Sequence, residues 1–129
     1  HTVGAKRFGM MSPLSVENSQ SAVDYYTALG FDVALATALL VDKPENAVNV
    51  PMERVIEAFE EVDGPDIDTL LHVGGSLGIV PLIAELEDRF KKPVISVNQA
   101  TYWYALRRMG ITDPIPGFGE LMLKADIVD

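Results

Sequence analysis

The stretch Thr69-Leu70-Leu71-His72-Val73-Gly74-Gly75-Ser76-Leu77-Gly78 sets a histidine, a serine and three glycines at the end of a short apolar run. Glycines at that point let the backbone turn sharply and let a ligand approach the main chain. Gly74-Gly75-Ser76-Leu77-Gly78 matches Gly-x-Ser-x-Gly, the pattern of a nucleophile elbow between a strand and a helix. Such a serine needs an acid and then a histidine base after it in the chain, and no histidine follows His72. A serine hydrolase acting through Ser76 is therefore the weakest chemical reading. The same glycines could cradle a phosphate or carboxylate, because free N–H groups and the helix dipole attract anions at a helix start. The spacing is not that of a dinucleotide loop, and there is no Walker lysine. A tight turn that serves close packing alone stands beside the anion reading with equal weight. His72, inside the apolar run, reads as a core histidine satisfied by a hydrogen bond.

The elements that position this loop follow from periodicity. Arg7 to Met11 forms a first strand, Ser12-Pro13-Leu14 its loop, and Ser15 caps a helix carrying Val16, Ala22, Val23, Tyr26 and Leu29, ended by Gly30. Phe31 to Leu40 forms a second strand, followed by the polar loop Asp42 to Asn46. Pro51 opens a helix whose apolar positions Met52, Val55, Ile56, Phe59 and Val62 share a side, leaving its acids solvated. Ile67 to Val73 is a third strand, Pro81 marks the next helix, Val94 to Asn98 is a fourth strand, and Ala100 to Met109 a fourth helix closed by Gly110. Trp103 reads as core; after Gly110 the regular period is lost.

This alternation predicts an α/β three-layer sandwich, one domain over residues 1–129, with a parallel sheet in the order 2-1-3-4. In such a sheet the crevice lies at the carboxyl ends of the first and third strands. Ser12 to Ser15 and Gly74 to Gly78 then face it together, with Pro44 to Asn46 on one side and Asn98-Gln99 on the other.

Composition narrows the function. With 129 residues and 48% hydrophobic content the chain can bury a real core. A net charge of -9, with basic residues scattered or in short pairs, repels a phosphate backbone and argues against nucleic acid. No apolar stretch reaches membrane-spanning length and no signal-peptide pattern opens the chain, so a cytoplasmic location is expected. The absence of cysteine removes disulfides, thiolate metal sites and thiol nucleophiles together. His1 and His72 alone give little to build a zinc or iron site.

Several linked stretches resemble a family. Pro81-Leu82-Ile83-Ala84-Glu85-Leu86-Glu87, Lys92 through Trp103, Gly110-Ile111 and Gly117-Phe118-Gly119, with Ser12-Pro13 after the first strand, resemble the C-terminal half of the aspartate/glutamate racemase superfamily. The likeness is to its maleate cis-trans isomerase and arylmalonate decarboxylase branch and covers about Ala5 to Met122. It implies a flavodoxin-like half of a pseudo-symmetric protein with the active site between halves, no cofactor, and a small carboxylic or dicarboxylic acid as substrate. The partners implied are the missing N-terminal half and further copies in a homo-oligomer. Isomerases and racemases of the family use one cysteine from each half; the decarboxylases use one cysteine to protonate an enediolate that N–H and hydroxyl donors stabilise.

The departures from the family pattern fall on its polar positions. Register against the following helix puts the family cysteine at Gly74, or at Val73 if the loop gains a residue. A tyrosine of many isomerases falls at Leu14, and an asparagine falls near Pro44, with Asn46 close by. Ser12, Leu14, Pro44, Asn46, Gly75, Ser76 and Leu77 are then the residues expected to line the substrate or an anion. Three accounts follow: one cysteine in the missing half acting as sole proton donor, a cysteine removed by engineering, or a non-catalytic carboxylate-binding or oligomerisation module. A half built to pack on another half is also expected to self-associate when alone.

Overall fold

The computed structural model describes residues His1–Asp129. Four parallel strands, β1 (Arg7–Ser12), β2 (Asp32–Ala38), β3 (Thr69–His72) and β4 (Val94–Ser96), pair in the order β2-β1-β3-β4, as the alternation predicts. Helices α1 (Val16–Ala28), α2 (Met52–Val62), α3 (Ile83–Phe90) and α4 (Val97–Arg108) connect or follow them.

Successive strand residues point to opposite faces, and the two faces are filled differently. Met11, Leu70 and Val94 meet Val55, Phe59 and Val62 of α2 and Ile83 and Leu86 of α3 in one continuous cluster. On the other face Phe8, Met10, Leu71 and Val73 pack against α1 through Ala22, Val23 and Tyr26. Trp103 of α4 forms a separate cluster there with Leu121 and Met122. Val16 and Leu29, expected on the inner side of α1, are exposed. They sit at the ends of the helix, past the sheet it covers.

Local chemistry explains where the boundaries differ from expectation. Ser15 Oγ accepts from the Asn18 N–H at 3.2 Å and fixes the start of α1, and Gly30, at φ +91°, ends it. The fourth strand stops at Ser96, and Val97 and Asn98 belong to α4. There Gln99 Oε1 accepts from the Ser96 N–H at 3.3 Å, closing the helix start on itself. The third strand begins at Thr69 because the preceding turn is held by Lys92, whose Nζ donates to the carbonyls of Ile67 (2.8 Å) and Gly64 (3.1 Å) and pairs with Asp63. Pro81 opens a 3-10 turn, Val80–Leu82, ahead of α3.

The aperiodic tail is anchored by hydrogen bonds. Arg107 donates to the carbonyls of Lys124, Ile111, Asp113 and Met122, and the Trp103 indole donates to Lys124 at 2.9 Å. The Gln99 amide holds the Phe118 carbonyl at 2.6 Å. A 3-10 turn, Glu120–Leu123, thereby seats Leu121 and Met122 against Trp103.

Candidate functional site

β1 and β3 end side by side, and the loops that follow them meet, Pro13 against Gly74. The segment Leu39–Val41 follows the first loop closely: its N–H groups donate to the carbonyls of Ser12 (2.8 Å), Leu14 (3.2 Å) and Pro13 (2.9 Å) in turn. Ser12 is buried, and its hydroxyl accepts from the Leu14 N–H at 3.2 Å. Pro13 is pressed against Gly74: a Cβ on Gly74 would lie 2.6 Å from Pro13 Cδ and 2.8 Å from Cγ. Gly74 has φ +105°, a conformation that side chains disfavour. The glycine is required here by backbone shape and by the proline ring together.

The peptides that follow are each held at the carbonyl. Gly74 C=O accepts from the Leu77 N–H at 3.3 Å, and Gly75 C=O accepts from Asn98 Nδ2 at 2.8 Å. The N–H of a trans peptide points opposite to its C=O, so these two anchors turn the Gly75 and Ser76 N–H groups away from their carbonyl partners. Neither they nor the Gly74 N–H donates a hydrogen bond within the chain. Three consecutive free donors on a turn are the arrangement that can offer an anion a small concavity. A Cβ on Gly75 would come 2.7 Å from Asn98 Oδ1, so the second glycine is what lets Asn98 close on the loop.

The other candidates take different places. Leu77 is buried in the α2/α3 cluster and its N–H is already engaged, so it supports the loop from beneath. Asn46 donates to Asp42 Oδ1 at 2.6 Å, and Pro44, at the start of the 3-10 segment Pro44–Asn49, is exposed. Leu14 stands beside Gly74, within 3.9 Å of its Cβ direction. Two residues carry more than the sequence assigned to them. Asn98, which strand order alone brings near this loop, fastens it through the Gly75 carbonyl. Leu40 is an exposed apolar residue held at φ +59°, an unfavourable backbone for a branched side chain that no sequence pattern announces.

His72 is the core histidine its surroundings suggest. Its Nδ1 lies 3.0 Å from Ser96 Oγ, the ring is fully buried, and Nε2 has no hydrogen-bond partner. Burial pushes its pKa down to about 4, with the Gly74 backbone pulling the other way. Held by Ser96 inside the sheet, it has no hydrogen bond with Ser76 and leaves the serine without a base.

A titration follows from this. The unfolded chain binds a proton at His72 below about pH 6.5, whereas the folded chain does so only below about 4. Stability contributed by the neutral ring is thus full above pH 6.5 and declines as pH falls toward 4, by roughly 3 kcal/mol in total. Urea unfolding of wild type and His72→Gln at pH 7.5 and 4.5 should show a steeper acid loss in the wild type; equal losses would contradict the assignment.

No helix is long and apolar enough to cross a membrane. A family model described as arylmalonate decarboxylase matches residues 1–122. The maleate isomerase of Geobacillus stearothermophilus is 26% identical over 123 residues, covering 94% of this chain and 49% of the relative. That of Nocardia farcinica is 27% identical over 125 residues, covering 96% and 50%. Among solved structures, a Nocardia farcinica maleate cis-trans isomerase variant with a covalently bound succinylcysteine intermediate superposes with a TM-score of 0.90 at 26% identity, over 95% of this chain and 50% of that one. Arylmalonate decarboxylase superposes at 0.80 and 24% identity, over 93% and 54%, and shares the fold. The chain spans about half the length of the curated relatives it matches.

Proposed function

The chain belongs to the arylmalonate decarboxylase family, and from that premise we propose that it is one half of a two-half enzyme acting on a small carboxylic or dicarboxylic acid. The observation that carries the proposal is the trio of free N–H groups at Gly74, Gly75 and Ser76 at the carboxyl end of β3, with the unengaged Ser76 hydroxyl beside them. Donors fixed before the reaction stabilise negative charge as it develops, without reorganisation. In a decarboxylation the C–C bond to one carboxylate breaks, its electrons move onto the remaining carboxylate to give an enediolate, and a proton must then be delivered to carbon. The cradle suits the carboxylate and enediolate oxygens. Gly74, where the family resemblance puts a cysteine, has no proton to give, so the donor comes from the other half and acts alone.

This reading differs from a two-thiol isomerase in what one half contributes: charge stabilisation here, proton transfer there. The reading is tested by incubating the longer polypeptide with maleate and with aryl- or alkyl-malonates. Turnover of a malonate that is lost on replacing a cysteine of the other half supports it. Saturable binding with no turnover of either class favours the alternative, a carboxylate-binding module. Asn98→Ala frees the Gly75–Ser76 peptide, and with it the Ser76 N–H, while the Gly75 N–H stays fixed through Leu77; it should weaken binding of the same acids about tenfold, as expected for losing the hydrogen bond that orients one donor. Unchanged affinity in that variant would remove the anchored loop from the account.

A further inference from the structure

His72 carries a buried nitrogen without a partner, two residues before the Gly74–Gly75 turn. The ring is fully buried, Nδ1 lies 3.0 Å from Ser96 Oγ, and Nε2 meets neither a donor nor an acceptor. Groups so placed are normally paired, because burial without a hydrogen bond forfeits the one that water would make. Side chains alternate between faces along a strand, so His72 shares the face of Leu70, which packs with Leu77 in the α2/α3 cluster. The Gly74 carbonyl turns toward that side, where it accepts from the Leu77 N–H at 3.3 Å.

The surrounding hydrogen bonds fix which nitrogen holds the proton. At the head of α4 the Ser96 hydroxyl oxygen faces the Gln99 backbone N–H, the reciprocal half of the box in which Gln99 Oε1 accepts from the Ser96 N–H. A hydroxyl whose lone pair is turned to an N–H keeps its own proton to donate, and the Ser96 hydroxyl has Nδ1 within reach. Nδ1 is then the acceptor, and in a neutral ring the proton sits on Nε2. Burial keeps the ring neutral, with its pKa down at about 4. The unpartnered atom is therefore an N–H donor. The Gly74 backbone also acts on the ring and favours its protonated form, which an acceptor does and a donor does not; its carbonyl lies toward the ring without completing a hydrogen bond. That oxygen has capacity for a second donor beside the Leu77 N–H.

We propose that His72 is a positioning residue: its Nε2–H completes a hydrogen bond to the Gly74 carbonyl when an acid occupies the cradle, and so orients and polarises the peptide that carries the Gly75 N–H. Hydrogen bonds of this kind are often long before a ligand binds and tighten in the complex. The chain of donors runs from the Gln99 N–H through the Ser96 hydroxyl and the imidazole to the Gly74 peptide and out to the anion, and each bond in such a chain strengthens the next. Ser96 and Gln99 thereby act on the cradle from the end of the fourth strand, alongside Asn98, which fastens the following peptide. The proposal rests on the carboxylate cradle and adds what tunes it from within the core. His72 neither touches the acid nor moves a proton.

The test uses the longer polypeptide, labelled with ¹⁵N, with malonate as the acid. Long-range proton–nitrogen spectra at pH 7.5 should show His72, identified by the signal lost in His72→Gln, as the Nε2–H tautomer before malonate is added. The Nε2 proton should then move downfield as malonate saturates. An Nδ1–H ring, or an Nε2 proton that stays in place while the Gly75 amide shifts, would overturn the proposal. His72→Phe fills the volume without a donor and should weaken malonate binding about three- to tenfold, whereas His72→Gln, whose amide nitrogen can stand where Nε2 does, should bind within about twofold of wild type. Equal affinity in all three proteins, or equal loss in both variants, would contradict it; should His72→Phe not fold, the wild-type spectra decide. Cradle amides that do not respond to malonate at all mean that the cradle reading itself fails, whereas a responding Gly75 amide beside a silent His72 proton removes this proposal alone.

Discussion

Gly74→Cys is expected to cost about 2–6 kcal/mol of folding stability and to yield no turnover, although it places a thiol where the family resemblance puts one. Two effects add. The residue would occupy φ +105°, outside the range that L side chains adopt readily, at a cost of about 1–3 kcal/mol. Its Cβ would also lie 2.6 Å from Pro13 Cδ, and overpacking against a rigid ring costs about 1–3 kcal/mol more. Relief means moving the Gly74–Gly75 peptide, which disturbs the donors of the proposed cradle. Urea unfolding and thiol titration check this together. A variant as stable as wild type with a reactive thiol would show that the loop accepts a side chain and that Gly74 is merely a cysteine cut back.

Gly9→Ala should be more severe, by at least about 4 kcal/mol, and should leave no cooperative unfolding transition. At Gly9 the carboxyl end of α2 packs directly on β1: a Cβ there would meet the Val62 carbonyl oxygen, with the carbonyl carbon at 2.8 Å and the Val62 Cβ at 2.9 Å. The obstacle is largely backbone in a helix that also contributes Val55, Phe59 and Val62 to the main cluster, so no side-chain rotation relieves it. Gly78 provides the control, because nothing lies within 4 Å of its Cβ direction; Gly78→Ala should change stability by no more than about 0.5 kcal/mol. Thermal unfolding followed by circular dichroism separates the two.

Gly9 and Gly74 also show what a sequence conceals. Sheet order and strand–helix alternation are legible because apolar runs, caps and breakers are local signals: Ser15, Gly30 and Pro93 each act within one turn of their own position. Ser96-Val97-Asn98-Gln99 carried such a signal too, a serine followed three residues later by glutamine, yet the apolar run Val94 to Val97 looked like uninterrupted strand and masked the helix start. Strand order brings the loops of Ser12 and Gly74 together, and that much is legible in the sequence. The role of Asn98 was not legible, because its contact with Gly75 joins residues 23 apart in sequence and depends on how the fourth strand ends. The tail has no regular period to read, and its order comes from Arg107, which fixes it through four backbone carbonyls that leave no mark in a sequence.

The cradle reading explains several features at once. It accounts for two glycines in succession, for a proline packed on the first, and for an asparagine fastening the second. His72 and Ser96 fit it as a buried, neutral pair beneath the loop, a source of rigidity with no part in proton transfer. Leu40 is strained and exposed where Leu39–Val41 hydrogen-bonds to the Ser12–Leu14 loop.

The central claim, that the Gly74–Ser76 backbone binds a carboxylate, is tested most directly by adding malonate to the ¹⁵N-labelled protein and following its amide resonances. The account predicts saturable shifts concentrated at Gly74, Gly75 and Ser76, diminished in Asn98→Ala. Shifts centred on other amides, or none at these three, would contradict it.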